Sequence, residues 1–218
     1  MLDTRFPRIV GDIGNPATFG FAVRYAAVHG ASPQRVVRER DASLLQPFIK
    51  SGHALVREGA TAITTSCGFL VLFQRALQAA LPVPVWTSSL LLLPEVLAAL
   101  PAGRAVGVVT VDASALSADH LLCAGAAIDT PVEGLAAGCG FQQTLLNDEA
   151  QLDVPAARQA TVDAALRLVS RRPNVAALVL ECTNMPPYAD AVRAATGRPV
   201  FDITHLIARR FPLKAPHR

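Results

Sequence analysis

Lysine is almost missing from this 218-residue sequence: of 20 basic residues, only Lys50 and Lys214 are lysines. The arginines are scattered, the densest groups being Arg35/Arg38/Arg40, Arg171/Arg172 and Arg209/Arg210, and none is interleaved with aromatics. Against 17 acidic residues they leave a formal net charge of +3. That is far below a nucleic-acid footprint, so no nucleic-acid partner is expected and the arginines read as solvated surface. Charged residues make up 17% and hydrophobic ones 51%, which excludes a disordered chain. Long apolar runs are also lacking. The most apolar stretch, Leu81–Leu100, is broken by Pro82, Pro84, Ser88, Ser89, Pro94 and Glu95, so no membrane partner is expected. Asp3, Arg5, Pro7 and Arg8 stand where a secretory leader needs an apolar run, so a cytoplasmic location is expected. Cys67, Cys123, Cys139 and Cys182 show no C-x-x-C spacing, and His29, His53, His120 and His217 no metal spacing. No metal site is expected, and the cysteines read as thiols. No G-x-G-x-x-G or P-loop supports a nucleotide.

What is present is an alternation of short Val/Ile-rich runs with longer amphipathic stretches, which predicts an α/β fold of repeated βα units around mostly parallel strands. Strands are expected over Arg8–Ile13, Ala60–Ser66, Val83–Ser88, Arg104–Thr110, Val175–Glu181 and Pro199–Ile203. Helices are expected over Ala42–Glu58, Phe69–Ala80, Leu90–Leu100, Ser114–Ala126, Pro155–Arg171, Pro187–Thr196 and Thr204–Phe211. Asp153 reads as an N-cap, and Gly59 and Gly197 as C-terminal glycines. Arg35–Arg40 suggests an edge strand, and Leu135–Leu152 a loop-rich excursion.

The halves resemble each other. Cys67 and Cys182, 115 positions apart, each follow a strand and open a helix. At that offset Ala79-Ala80 matches Ala194-Ala195, and Pro84-Val85-Trp86 matches Pro199-Val200-Phe201. Val10-Gly11 matches Val106-Gly107 at an offset of 96. A duplicated lobe follows: residues 1–98 form the first, completed by 199–218, and residues 99–198 the second. Ligands of parallel sheets bind beyond the carboxyl ends of the strands. Two such ends facing one cleft would set the two thiols on opposite sides of a small carboxylate, as stereoinversion at an α-carbon requires. Cys123, in an Ala-rich helix, and Cys139, in a Gly-rich loop, read as packing residues. Glu181 is expected to turn away from the cleft, because adjacent strand residues face opposite sides. Tyr188 reads as packing, and His205 as a capping residue or a visitor to the cleft.

The segments Ala62-Ile63-Thr64-Thr65-Ser66-Cys67-Gly68-Phe69 and Val179-Leu180-Glu181-Cys182-Thr183-Asn184-Met185-Pro186 resemble the two cysteine motifs of the aspartate/glutamate/hydantoin racemase superfamily. Pro199-Val200-Phe201-Asp202-Ile203-Thr204 is similar to the segment after the second motif in the aspartate racemase branch. The resemblance implies two pseudosymmetric α/β lobes, an active site between them and a homodimer. It further implies a racemase or epimerase that needs no cofactor and acts on a small carboxylate. Cys67 and Cys182 would be the catalytic acid/base pair. Asp12, Asn15, Thr65, Ser66, Gly68, Phe69, Thr110, Thr183 and Asn184 would bind substrate. Gly68-Phe69 replaces the usual Asn-Thr, and Asn184 the His of glutamate racemases, which weighs against glutamate as substrate. Cis–trans isomerisation or decarboxylation of a small diacid on the same fold, and ligand binding without catalysis, are the competing readings.

Overall fold

Val- and Leu-rich runs become the central strands because both of their faces are covered, as parallel sheets require. The computed structural model describes residues 1–211. Strands β3 (Ala105–Thr110) and β5 (Val175–Leu180) form the middle of a four-stranded parallel sheet. Strands β4 (Val132–Gly134) and β6 (Val200–Phe201) lie at its edges, giving the order β4-β3-β5-β6. A second parallel sheet pairs β1 (Ile63–Thr64) with β2 (Val85–Trp86). The helices are α1 (Leu45–Arg57), α2 (Gln74–Ala80), α3 (Leu93–Ala98), α4 (Ala118–Cys123), α5 (Gly140–Leu146), α6 (Val154–Arg171), α7 (Ala189–Thr196) and α8 (Ile203–Arg210). Helix α6 starts at the expected cap, where Asp153 accepts from the Ala156 N–H at 3.0 Å. It lays the small buried residues Ala157, Thr161, Ala164 and Ala165 on the sheet. At Gly107 a Cβ would fall 2.7 Å from Leu168 Cδ2, so the helix approaches β3 too closely for any side chain. Among the described residues no helix is long and apolar enough to cross a membrane.

The repeat survives in the pairing register. Ile63 and Thr64 pair with Val85 and Trp86, while Leu178 and Val179 pair with Val200 and Phe201, each residue 115 positions after its counterpart. Helices α2 and α7 begin at that same offset. The repeat fails at its outer strand. Arg8–Ile13, expected as a strand, is a run of turns: Gly11 adopts φ +100° against Pro187, and the Asp12 carboxylate accepts from Gly14 N–H at 2.7 Å. Val10 is 63% exposed, which a core strand would not allow.

Three further expectations are corrected. Arg35–Arg40 is not an edge strand; Gln34–Arg38 coils into a π-helical turn, held where the Arg35 guanidinium meets Asp41 at 2.6 Å and the Gly30 carbonyl at 2.9 Å. Leu135–Leu152 contains α5, which buries Phe141, Leu145 and Leu146 at helical spacing. Strand Val200–Phe201 joins the four-stranded sheet through β5, while α8 packs on the turn Ser89–Leu92 that follows β2. The described residues 199–211 thus touch both halves, and residues 212–218, with Lys214 and His217, lie outside the described residues. Cys123, expected to pack, is exposed.

Candidate active site

Cys67 and Cys182 arrive together because each ends the equivalent βα unit on the same side of its sheet. The two arms cross-brace each other: the residue after one cysteine packs on the residue before the other. Thr183 Oγ1 donates to the Ser66 carbonyl at 2.7 Å. On the opposite side, a Cβ at residue 68 would fall 2.5 Å from the Glu181 carbonyl, so Gly68 is obligatory there. Ser89 Oγ donates to the Leu180 carbonyl at 2.7 Å and ties the first half to the end of β5.

Between the arms lies a cavity of about 30 Å³. The first motif contributes Ser66, Cys67, Gly68 and Phe69 to its wall, and the second contributes Glu181, Cys182, Thr183 and Asn184. Leu2, Phe6, Val37, Leu145 and Leu146 complete an apolar cover. The space holds about one water molecule, so a substrate must displace part of that cover. A larger cavity of about 320 Å³ lies beside it, lined by Phe19, Phe21, Leu55, Trp86 and Ile207, and reaches Ser66. Neither thiol lines it, and the Thr64 and Thr65 hydroxyls on its wall are spent on the Trp86 and Thr87 carbonyls at 2.8 and 2.6 Å.

The thiols sit in different fields. Burial pushes Cys67 up to about 12 and Glu181 adds to the rise, while the Phe69 and Leu70 N–H groups and the Arg8 guanidinium oppose it. Burial and then Glu181 hold Cys182 well above the ordinary thiol range; one N–H, from Asn184, opposes, and Cys67 and Asp12 reinforce the rise. Cys67 is therefore the better placed of the two to carry a negative charge. Cys182 Sγ donates to Asn184 Oδ1 at 3.5 Å, and Asn184 Nδ2 donates to Asp12. Asp12 is also held by Arg8 at 3.2 Å, and the Arg8 guanidinium lies 4.5 Å from the centre of the Phe6 ring. Burial raises the Asp12 carboxyl against the pull of Arg8 and three hydrogen bonds.

Several expected binding residues stand outside the cavity. Asp12 reaches it only through Asn184. Asn15 caps a short 3-10 turn, accepting from Ala17 N–H at 2.8 Å and donating to the Arg8 carbonyl at 2.7 Å. Thr65 spends its hydroxyl on the Thr87 carbonyl. Thr110 lies beneath the site and donates to Glu181 Oε2 at 2.7 Å. His205 pairs with Asp202 at 3.0 Å and is 38% exposed.

Glu181 is the main residue that the sequence reasoning misplaced. Among the described residues it makes no salt bridge, and it lines the cavity beside both cysteines. Strand alternation ends at Leu180, so residues 181 and 182 are free to reach the same space. Its alignment with Ser66 in the 115-residue repeat was the signal available. Arg8 and Phe6 carried none, because the segment that holds them belongs to no repeated element.

No family model matches the chain. It is 30% identical over 210 residues to a dimethylsulfoniopropionate lyase of Durusdinium sp. clade D, covering 92% of this chain and 69% of that protein. It is 31% identical over 210 residues to dimethylsulfoniopropionate lyase 7 of Emiliania huxleyi (strain CCMP1516), covering 92% of this chain and 62% of the relative. Among solved structures, a mutant of arylmalonate decarboxylase in a sulfate-associated form superposes with a TM-score of 0.56 at 18% identity, covering 81% of this chain and 75% of that one. Allantoin racemase from Klebsiella pneumoniae gives 0.52 at 17% identity, over 76% and 63% of the two chains. A glutamate racemase isoform from Bacillus anthracis gives 0.51 at 16%, over 82% and 69%. At these identities the likeness is one of fold.

Proposed function

The chain belongs to the dimethylsulfoniopropionate lyase family, on the fold of the aspartate/glutamate/hydantoin racemase superfamily, and from that premise we propose that it is a lyase of dimethylsulfoniopropionate or a close β-substituted carboxylate. The observation that carries this reading is the similarity to such lyases over 92% of the chain, with the Cys67 thiol in the cavity wall to act as the base.

The substrate has a carboxylate, an acidic α-carbon and a sulfonium on the β-carbon. A thiolate removes the α-proton, the electron pair left behind forms the α–β double bond, and the C–S bond breaks with its pair on sulfur. Dimethyl sulfide and acrylate result, and the proton on the thiol returns to water. Cys67, with two N–H groups and Arg8 favouring its charged form, is the better base. Phe69, in the cavity wall, supplies an aromatic ring near which a sulfonium can sit.

Racemisation, the activity expected from the cysteine motifs, shares the first step and differs only in the fate of the carbanion. The presence of two thiols is what favours it. Incubation with dimethylsulfoniopropionate in deuterium oxide separates the readings. The expected result is dimethyl sulfide in the headspace and acrylate by proton NMR. Absence of both, with α-deuteration of a chiral amino or hydroxy acid, would replace the lyase by a racemase.

A further inference from the structure

Among the described residues Glu181 is an acid without a counter-charge. It is 1% exposed, and Arg8, the cation nearest the thiols, is already paired with Asp12. Its Oε2 accepts from Thr110 Oγ1 at 2.7 Å, while Oε1 has no hydrogen-bond partner. That free oxygen lies against the backbone next to Cys67: a Cβ at Gly68 would stand 2.2 Å from it. The other titratable and charged groups around the site are accounted for. Cys67 opens the neighbouring turn and Cys182 follows Glu181 itself. Asp12 and Tyr188 lie on the Cys182 side, and Arg8, paired with Asp12, acts on Cys67. His120, stacked edge-on to Phe69, is pushed down to about 4 by burial and is neutral. β3 presents Thr110.

A buried carboxyl group with no cation keeps its proton in preference to its charge; burial pushes Glu181 up to about 7, against the pull of Thr110. Since Thr110 donates to Oε2, the acid proton belongs on Oε1, the oxygen without a partner. We propose that Glu181 works as a neutral carboxylic acid, donating from Oε1 to the carboxylate of the bound substrate and, by staying uncharged, permitting a thiolate beside it. The inference rests on the lyase reading. As the α-proton leaves, negative charge moves onto the carboxylate oxygens, and a donor already in place there stabilises it without reorganisation. The acid proton stays on Glu181 throughout.

Linkage gives the test its shape. An ionised Glu181 raises both thiols, so thiolate coexists with the neutral acid. Below Glu181's own titration, thiolate grows about tenfold per pH unit; above it, further ionisation goes to Glu181 and the thiolate population levels off. Alkylation by iodoacetamide, followed by mass spectrometry from about pH 5 to 9, should therefore rise and flatten near pH 7 in the wild type. In Glu181→Gln it should keep rising and exceed the wild type above that point, the excess levelling off at about ten- to a hundredfold, the factor by which a neighbouring charge holds back a thiol. Thr110→Val, which removes the one hydrogen bond favouring the charged form, should move the flattening to higher pH. It serves as the second probe should the Gln variant fail to fold. In the lyase assay, kcat/KM should show the same two shapes, and Glu181→Leu, without a donor, should lose about 10²-fold or more at every pH.

Parallel pH curves in wild type and Glu181→Gln would overturn the proposal. So would a wild-type rate that climbs straight through pH 7 while the Gln variant raises KM at all pH values, the mark of an anionic Glu181 pairing with the sulfonium. Alkylation needs no substrate. Divergent alkylation curves in a protein that releases no dimethyl sulfide would overturn the lyase reading and the substrate contact while upholding the charge coupling.

Discussion

The two cysteine arms are copies in backbone and differ in the polar groups beside each sulfur. Cys67 and Cys182 sit at equivalent ends of β1 and β5, and the strands that follow pair in the same register. At the position before each cysteine, however, one arm has Ser66, which accepts the Leu2 N–H at 2.9 Å, and the other has Glu181, buried with a free oxygen. At the position after it, one arm has Gly68 and the other Thr183. The backbone repeat places two sulfurs around one point. The Phe69 and Leu70 N–H groups and Arg8 decide which sulfur can hold charge, because at fixed geometry a thiol's acidity follows its neighbours' charges and N–H groups.

The sharpest way to break the comparison is to remove each sulfur in turn. Cys67→Ser should lower dimethyl sulfide release by about 10²–10⁴-fold, the usual worth of a positioned base, and Cys182→Ser, which takes no base from the elimination, should lower it by less. A full rate in either variant would show that one arm is only a structural echo of the other.

A second contrast concerns stability. Glu181 titrates higher in the folded protein than the ordinary 4.5, so the native state binds the extra proton between about pH 4.5 and 7. Its contribution is present below that window and lost as the pH rises through it, by about 3 kcal/mol in all. His120, pushed down by burial, changes stability in the opposite direction over part of the same range. The difference between wild type and Glu181→Gln in urea unfolding is therefore the measurement that isolates Glu181. A constant difference from about pH 4.5 to 8 would refute it.

The cross-braces offer the smallest test. Gly68→Ala forces a Cβ onto Glu181 and should destabilise by about 1–3 kcal/mol. Thr183→Val removes only the hydrogen bond to Ser66, leaving that carbonyl unpaired at a cost of about 1 kcal/mol. Equal losses in thermal melts would mean that the two braces are equivalent after all.

Much of the fold was legible in the sequence. The strands Ala105–Thr110 and Val175–Leu180 and the helix Val154–Arg171 fall almost where periodicity, an Asp cap and Val/Leu runs put them. Where the sequence misled, local geometry overrode pattern. Arg8–Ile13 carries strand-forming residues, yet Gly11 at positive φ and the Asp12 turn bend it away from any sheet. Arg35–Arg40 reads as a short edge strand, yet the Arg35–Asp41 pair closes it into a turn. The same holds at the site. Both thiols were readable from their mirrored contexts. Asn15, Thr65 and Thr110 had the right residue types in the right neighbourhood, but their polar atoms are spent on nearby partners.

The sequence by itself determined the α/β class, the 115-residue repeat and the pairing of Cys67 with Cys182. These follow from periodicity and identity along one dimension. Only the tertiary structure decided that Arg8 belongs to Asp12 rather than to a ligand, and that Glu181 faces the thiols instead of solvent. Charge states depend on distances and on exclusion of water, and both arise only when segments far apart in the chain are packed against one another.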